Sequence, residues 1–113
     1  MALADLSTEE RQVVFECLHA TATGPFFPDW EFHTLFGLER SDVKAIVDAW
    51  PAIDDASENV SLAINNSMNN LLGYPHGCDR EWLTYISVSP EEVARIFKKW
   101  RGERVPNYFE GLR

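Results

Sequence analysis

Apolar residues recur along the chain at helical spacing. Val14, Cys17, Leu18, Thr21 and Ala22 share one face of a predicted first helix. Ser7 and Glu10 form an S-x-x-E capping box at its start, and Gly24-Pro25 ends it. Pro28 is placed to restart a short helix through Phe36, with Gly37 as its cap. Ser41 is expected to cap the next helix, where Val43, Ile46, Val47 and Trp50 fall at i, i+3, i+4 and i+7 and Pro51 closes the run. Val60, Ile64, Met68, Leu71 and Leu72 stripe a longer helix that begins at Ser57 or Glu58. Gly73 to Gly77 is dense in helix breakers and reads as a loop. Asp79 is expected to cap a short element through Ile86. Ser89-Pro90-Glu91-Glu92 then opens a last helix carrying Val93, Ile96, Phe97 and Trp100, which Gly102 stops. Only 83–88 is rich in strand formers, and one such segment cannot build a sheet. The pattern therefore predicts an all-α, single-domain helical bundle over 1–113, whose tail, 103–113, packs across the body or hangs loose.

A second regularity is longer. Residues 29–50 and 79–100 align without a gap at an offset of 50. Asp29 meets Asp79, Glu31 meets Glu81, Val43 meets Val93, Ile46 meets Ile96 and Trp50 meets Trp100. This suggests two helix–loop–short helix–helix units, 7–50 and 57–100, related by an approximate two-fold axis. Each would have an apolar face it cannot bury alone. Shared core periodicity without duplication produces a similar match, so both origins stay open.

Composition changes the picture through charge. The 113 residues include 18 acids and 10 bases, for a net charge of −8. Such a surface repels phosphate backbones and anionic headgroups, which argues against nucleic-acid and membrane partners. No apolar run approaches the ~20 residues of a membrane helix. The opening residues lack a basic start followed by a long apolar stretch, so a cytoplasmic location is expected. Charge is also uneven, with twelve acids and three bases in 1–60 against six acids and seven bases in 61–113. The basic cluster Lys98, Lys99, Arg101 and Arg104 suits the negative end of a helix dipole. An acidic first half suits a basic protein partner.

Candidate chemistry is sparse. Asp29 and Glu31 are two residues apart and point to different sides of a helix, which does not favour acid–base work on one proton. His76, Cys78 and Asp79 place an imidazole, a thiol and a carboxylate in one loop, but no second element signposts further ligands. Cys17 and Cys78 match no CxxC spacing and read as thiols, Cys17 as a buried hydrophobe. No catalytic residue, metal or cofactor is assigned. The most unusual segment is Gly24 to Phe32, where Phe26, Phe27, Trp30 and Phe32 lie between and beside prolines. Aromatics on a stiff loop lose little entropy on binding. Phe26, Phe27, Asp29, Trp30 and Glu31 are therefore the candidate partner-binding residues, with at least one aromatic expected to stay exposed. Asn65, Asn66, Asn69 and Asn70 crowd one helix despite poor helix propensity. With His76 they form a candidate polar site, or they cap buried carbonyls such as those of the Gly24-Pro25 turn.

The runs GPFFPDWEF-x-TLFGL and NNLLGYPHG resemble those of small uncharacterised bacterial proteins over nearly the whole chain. The resemblance implies no activity and transfers no residue roles. Small acidic helical proteins of this kind are often immunity proteins or other inhibitory partners, which is an analogy of class. The expected function is non-enzymatic binding of another protein, in an immunity- or antitoxin-like role against a basic partner. The alternatives are a small enzyme or ligand-binding domain using His76, Cys78 and Asp79, and a homodimeric structural protein.

Overall fold

A computed structural model describes residues 2–102, so the expected tail lies outside the described residues. A single 3-10 turn at Leu3–Asp5 precedes six α-helices: α1 (Thr8–Thr23), α2 (Asp29–Phe36), α3 (Arg40–Ala49), α4 (Glu58–Gly73), α5 (Trp82–Tyr85) and α6 (Pro90–Trp100). No strand occurs among the described residues; the strand-forming run contributes the one-turn α5 and extended backbone at Ile86. Among these residues no helix is long and apolar enough to cross a membrane.

Local chemistry explains most of the helix ends. Glu10 N–H donates to Ser7 Oγ at 3.1 Å and Ser7 N–H donates to Glu10 Oε1 at 2.8 Å, which completes the expected capping box. Ser89 accepts from Glu92 N–H at 3.2 Å, and Pro90 occupies the first helical position where its missing N–H costs nothing. Gly37 ends α2 at φ +69°, a left-handed conformation that favours glycine. Two starts differ from expectation. Helix α3 begins at Arg40 with Glu39 rather than Ser41 as its N-cap, because Asp42 reaches back to accept from Glu39 N–H at 2.9 Å. Asp79 does not cap α5, which starts at Trp82 after a turn closed by Cys78 and Asp79 carbonyls. Gly24 is also needed for a reason other than handedness. Its φ is −87°, but a Cβ there would sit 2.6 Å from the Ala20 carbonyl oxygen.

Helices α1 and α4 pack against each other at the centre. Helix α3 covers α1, α6 covers α4, α2 packs on α4 and α5 packs on α1. Every helix contributes to one core, in which Phe26, Phe36, Leu18, Ile64, Met68, Ile86, Ile96 and Trp100 are almost fully buried. Two pairs of helices start 50 residues apart, α1 at Thr8 with α4 at Glu58 and α3 at Arg40 with α6 at Pro90, whereas α2 at Asp29 and α5 at Trp82 do not keep that offset. The second short helix is the less regular one, four residues in α5 against eight in α2. Cys17 is completely buried, as its place in the apolar stripe requires, and the loss of hydration pushes its thiol far up.

Candidate interaction site

The Gly24–Phe32 segment divides sharply between core and surface. Phe26 and Phe27 were candidates for partner contact, but both are buried, at 1% and 4% exposure. Phe26 meets Trp82, Tyr85 and His76 edge-on, and Phe27 packs against Phe36 and Tyr74. Burying the two rings in the core removes large apolar surfaces from water. Trp30 goes the other way and is 80% exposed on the first turn of α2, with Asp29 and Glu31 on either side. Leu83, on α5, is the other large apolar side chain left in water, at 72%.

Arg40 organises the acidic flank. Its Nε donates to Asp29 Oδ1 at 2.9 Å, Nη1 to Thr21 O at 2.9 Å, and Nη2 to Phe27 O at 2.7 Å. The guanidinium also lies over the Phe32 ring, 4.4 Å from its centroid. Asp29 is therefore paired, yet its side chain is 93% exposed and available to a second cation. Glu31 accepts from the Tyr74 hydroxyl, which ties α2 to the loop after α4. That bond, then burial, holds the Tyr74 phenol above its ordinary pKa.

Asn66 and Asn70 act as caps, though on a different target than expected. Asn66 Nδ2 donates to Phe36 O at 2.8 Å and Asn70 Nδ2 to Leu35 O at 3.2 Å, so they satisfy the last carbonyls of α2 rather than those of the Gly24-Pro25 turn. Asn65 bonds to Asn66, and Asn69 is exposed.

The His76 loop is built for structure. His76 Nε2 lies 3.1 Å from Leu71 O and Nδ1 accepts from Cys78 N–H at 2.9 Å, which specifies the tautomer protonated at Nε2. Both ring nitrogens are thereby engaged, and neither is aimed at the Cys78 thiol. Sγ donates to Pro25 O at 3.4 Å, and loss of hydration, then the Glu81 and Asp79 carboxylates, raise the thiol pKa. A nucleophilic cysteine needs the opposite shift. No cluster of metal-ligating side chains occurs among the described residues. Beside this loop lies a cavity of about 450 Å³, lined by residues that include His76, Asp79, Trp82 and Pro90. A second, more apolar hollow of about 340 Å³ shares Asp79, Trp82 and Pro90 with it and has Leu83 on its wall.

Of the basic cluster, Lys99 turns inward. Its Nζ donates to Glu10 Oε1 at 2.8 Å, and Arg95 Nη2 donates to Glu10 Oε2 at 3.0 Å. These contacts hold the buried Glu10 carboxylate down at about 2. Arg40, Tyr74 and Leu83 were not singled out by sequence pattern, and Glu10 only as a capping residue. The only available signal was positional: Arg40 stands where the second half has Pro90.

No known protein family, curated protein or solved structure matches the chain.

Proposed function

We propose that this protein is a non-enzymatic binding module that masks a basic protein partner, in the manner of an immunity protein or antitoxin. The observation that carries the reading is Trp30, four-fifths exposed on an ordered helix and flanked by two carboxylates. A tryptophan so placed offers a large rigid apolar anchor at small entropic cost, and its acidic rim selects a cationic rim opposite. The excess of acids in 1–60 speeds the approach of a basic partner. Phe26 and Phe27 are core residues, so the proposed contact set is Asp29, Trp30 and Glu31.

The test is affinity capture from native lysate with the wild-type chain and with Trp30→Ala as bait, followed by association kinetics with the captured protein. The expected result is a stoichiometric basic partner lost with Trp30→Ala and an on-rate that falls steeply with added salt. A partner retained by Trp30→Ala, or a salt-insensitive on-rate, rejects the reading. Self-association abolished by the same substitution would replace it with the homodimer. The ligand-binding alternative rests on the cavity beside His76, since the Cys78 thiol is not activated.

A further inference from the structure

We infer that the cavity beside the Tyr74–Asp79 loop is a receptor for an arginine side chain of the partner. The inference names the partner chemistry and so rests on the binding reading above. Its source is internal to the molecule, because the first half of the chain already holds such an arginine.

Arg40 makes five contacts. It bonds the carbonyls of Thr21, Ala22 and Phe27 at 2.9, 3.5 and 2.7 Å, pairs with Asp29 at 2.9 Å, and stacks on Phe32 at 4.4 Å. Adding 50 to each position gives Leu71, Leu72, Gly77, Asp79 and Trp82, and Arg40 itself becomes Pro90. All six of these residues line the same cavity. Where the first half supplies a guanidinium from within, the second half has a ring without a donor and an open space of about 450 Å³.

The register that licenses this comparison extends beyond helix starts. The pairing of α1 with α3 and of α2 with α4 is matched by that of α4 with α6 and of α5 with α1. Asn66 on α4 satisfies Phe36 O at the end of α2; Glu16, its counterpart on α1, accepts from Ser87 N–H at 2.9 Å just beyond α5. The halves differ locally at several of these positions: Gly77 is left-handed at φ +68° where Phe27 is not, and Asp79 lies in the turn before α5 whereas Asp29 opens α2. Leu71 O, the counterpart of Thr21 O, lies 3.1 Å from His76 Nε2. His76 thus closes off one carbonyl and leaves the Asp79 side, where the carboxylate is exposed and the α4 C-terminus adds the negative end of its dipole.

The chemistry favours guanidinium over ammonium. Backbone carbonyls, a carboxylate and an aromatic ring lining one cavity offer the acceptors and the face that the planar fork of arginine uses, and a point charge cannot address them together. Leu83 in the adjoining hollow would cover the arginine's aliphatic stem or an apolar neighbour. Tyr74 lines the same cavity and bonds Glu31, which places the receptor next to the Trp30 flank.

The probe is N-acetyl-arginine amide, titrated into the full-length 15N-labelled protein and followed by amide and indole NMR shifts. N-acetyl-lysine amide and N-acetyl-norleucine amide are the controls. The expected result is saturable movement of Gly77, Asp79 and the Trp82 indole, with millimolar affinity for arginine and at least about tenfold weaker binding of lysine. Asp79→Asn should weaken arginine binding by about tenfold. Pro90→Arg should abolish it by filling the cavity from within, as Arg40 does. Should Pro90→Arg fail to fold, Asp79→Asn decides alone, because its side chain is exposed. Absence of saturable shifts, equal response to lysine, or indifference to Asp79→Asn overturns the proposal. The captured partner separates the two readings. A complex lost with Trp30→Ala but unaffected by Asp79→Asn keeps the binding module and rejects the arginine receptor. A complex lost with Asp79→Asn but retained by Trp30→Ala does the reverse.

Discussion

Glu10→Gln isolates the charge that joins the start of α1 to α6. Glu10 is 8% exposed, accepts from Lys99 at 2.8 Å and Arg95 at 3.0 Å, and also receives Ser7 N–H at 2.8 Å. The Lys99 bond does most to lower its pKa; the Ser7 N–H and Arg95 add to this, and burial opposes it. The drop from 4.5 to about 2 corresponds to about 3 kcal/mol at ~1.4 kcal/mol per pH unit. Arg95 and Lys99 are 52% and 45% exposed, so water screens part of this, and about 1–2 kcal/mol is expected. Glutamine preserves the volume and can still accept in the capping box, so the loss reports the ion pairs alone. The assay is urea unfolding of wild type and variant, read by tryptophan fluorescence from neutral pH down to about pH 3. A carboxylate depressed in the folded state contributes fully above its unfolded value of 4.5 and progressively less as pH falls toward 2. The stability difference should therefore be largest at neutral pH and shrink below about 4.5. A difference below about 0.3 kcal/mol at neutral pH, or one that is constant down to pH 3, would refute the reasoning.

Three further outcomes follow from the contacts. Arg40→Ala should cost about 2–3 kcal/mol in urea unfolding, because it strips donors from Thr21 O and Phe27 O and leaves Phe32 uncovered; Arg40→Lys should restore less than half of that. Gly24→Ala should lower the melting midpoint by several degrees, about 1–3 kcal/mol, since its Cβ would meet a backbone oxygen at 2.6 Å. Gly73→Ala, with nothing within 4 Å, should be neutral or slightly stabilising. Asn66→Ala should cost about 1 kcal/mol by freeing Phe36 O, whereas Asn69→Ala at an exposed position should change stability by less than about 0.5 kcal/mol.

Much of this fold was written in short-range pattern. A 3.6-residue stripe, the Ser7–Glu10 box, Ser89-Pro90 and the glycines after α2 and α6 place helices within a few residues of where they stand, because each acts between residues no more than four apart. The offset of 50 recurs in the starts of α1 and α4 and of α3 and α6, but not in those of α2 and α5. Neighbouring candidates for one role were not resolved by such signals. Glu39 displaced Ser41 as a cap because Asp42 could answer it, and Asp79 lost its capping role to the turn that starts α5 later.

Tertiary structure decided what the side chains do. Phe26, Phe27 and Trp30 are alike in sequence terms, three aromatics within five residues, yet two are core and one is exposed. Which face is buried depends on Trp82, Tyr85 and Phe36 arriving from elsewhere in the chain. Arg40 looks like one of three bases in an acidic half until carbonyls 13 and 19 residues away converge on it. The bond between Tyr74 and Glu31 spans 43 positions, and the cavity beside it is lined by residues from α4, α5, α6 and the loop between α4 and α5. Helix formation is governed by backbone bonds four residues apart and is encoded locally; burial, ion pairing and cavities depend on surfaces brought together from distant segments, which only the folded chain defines.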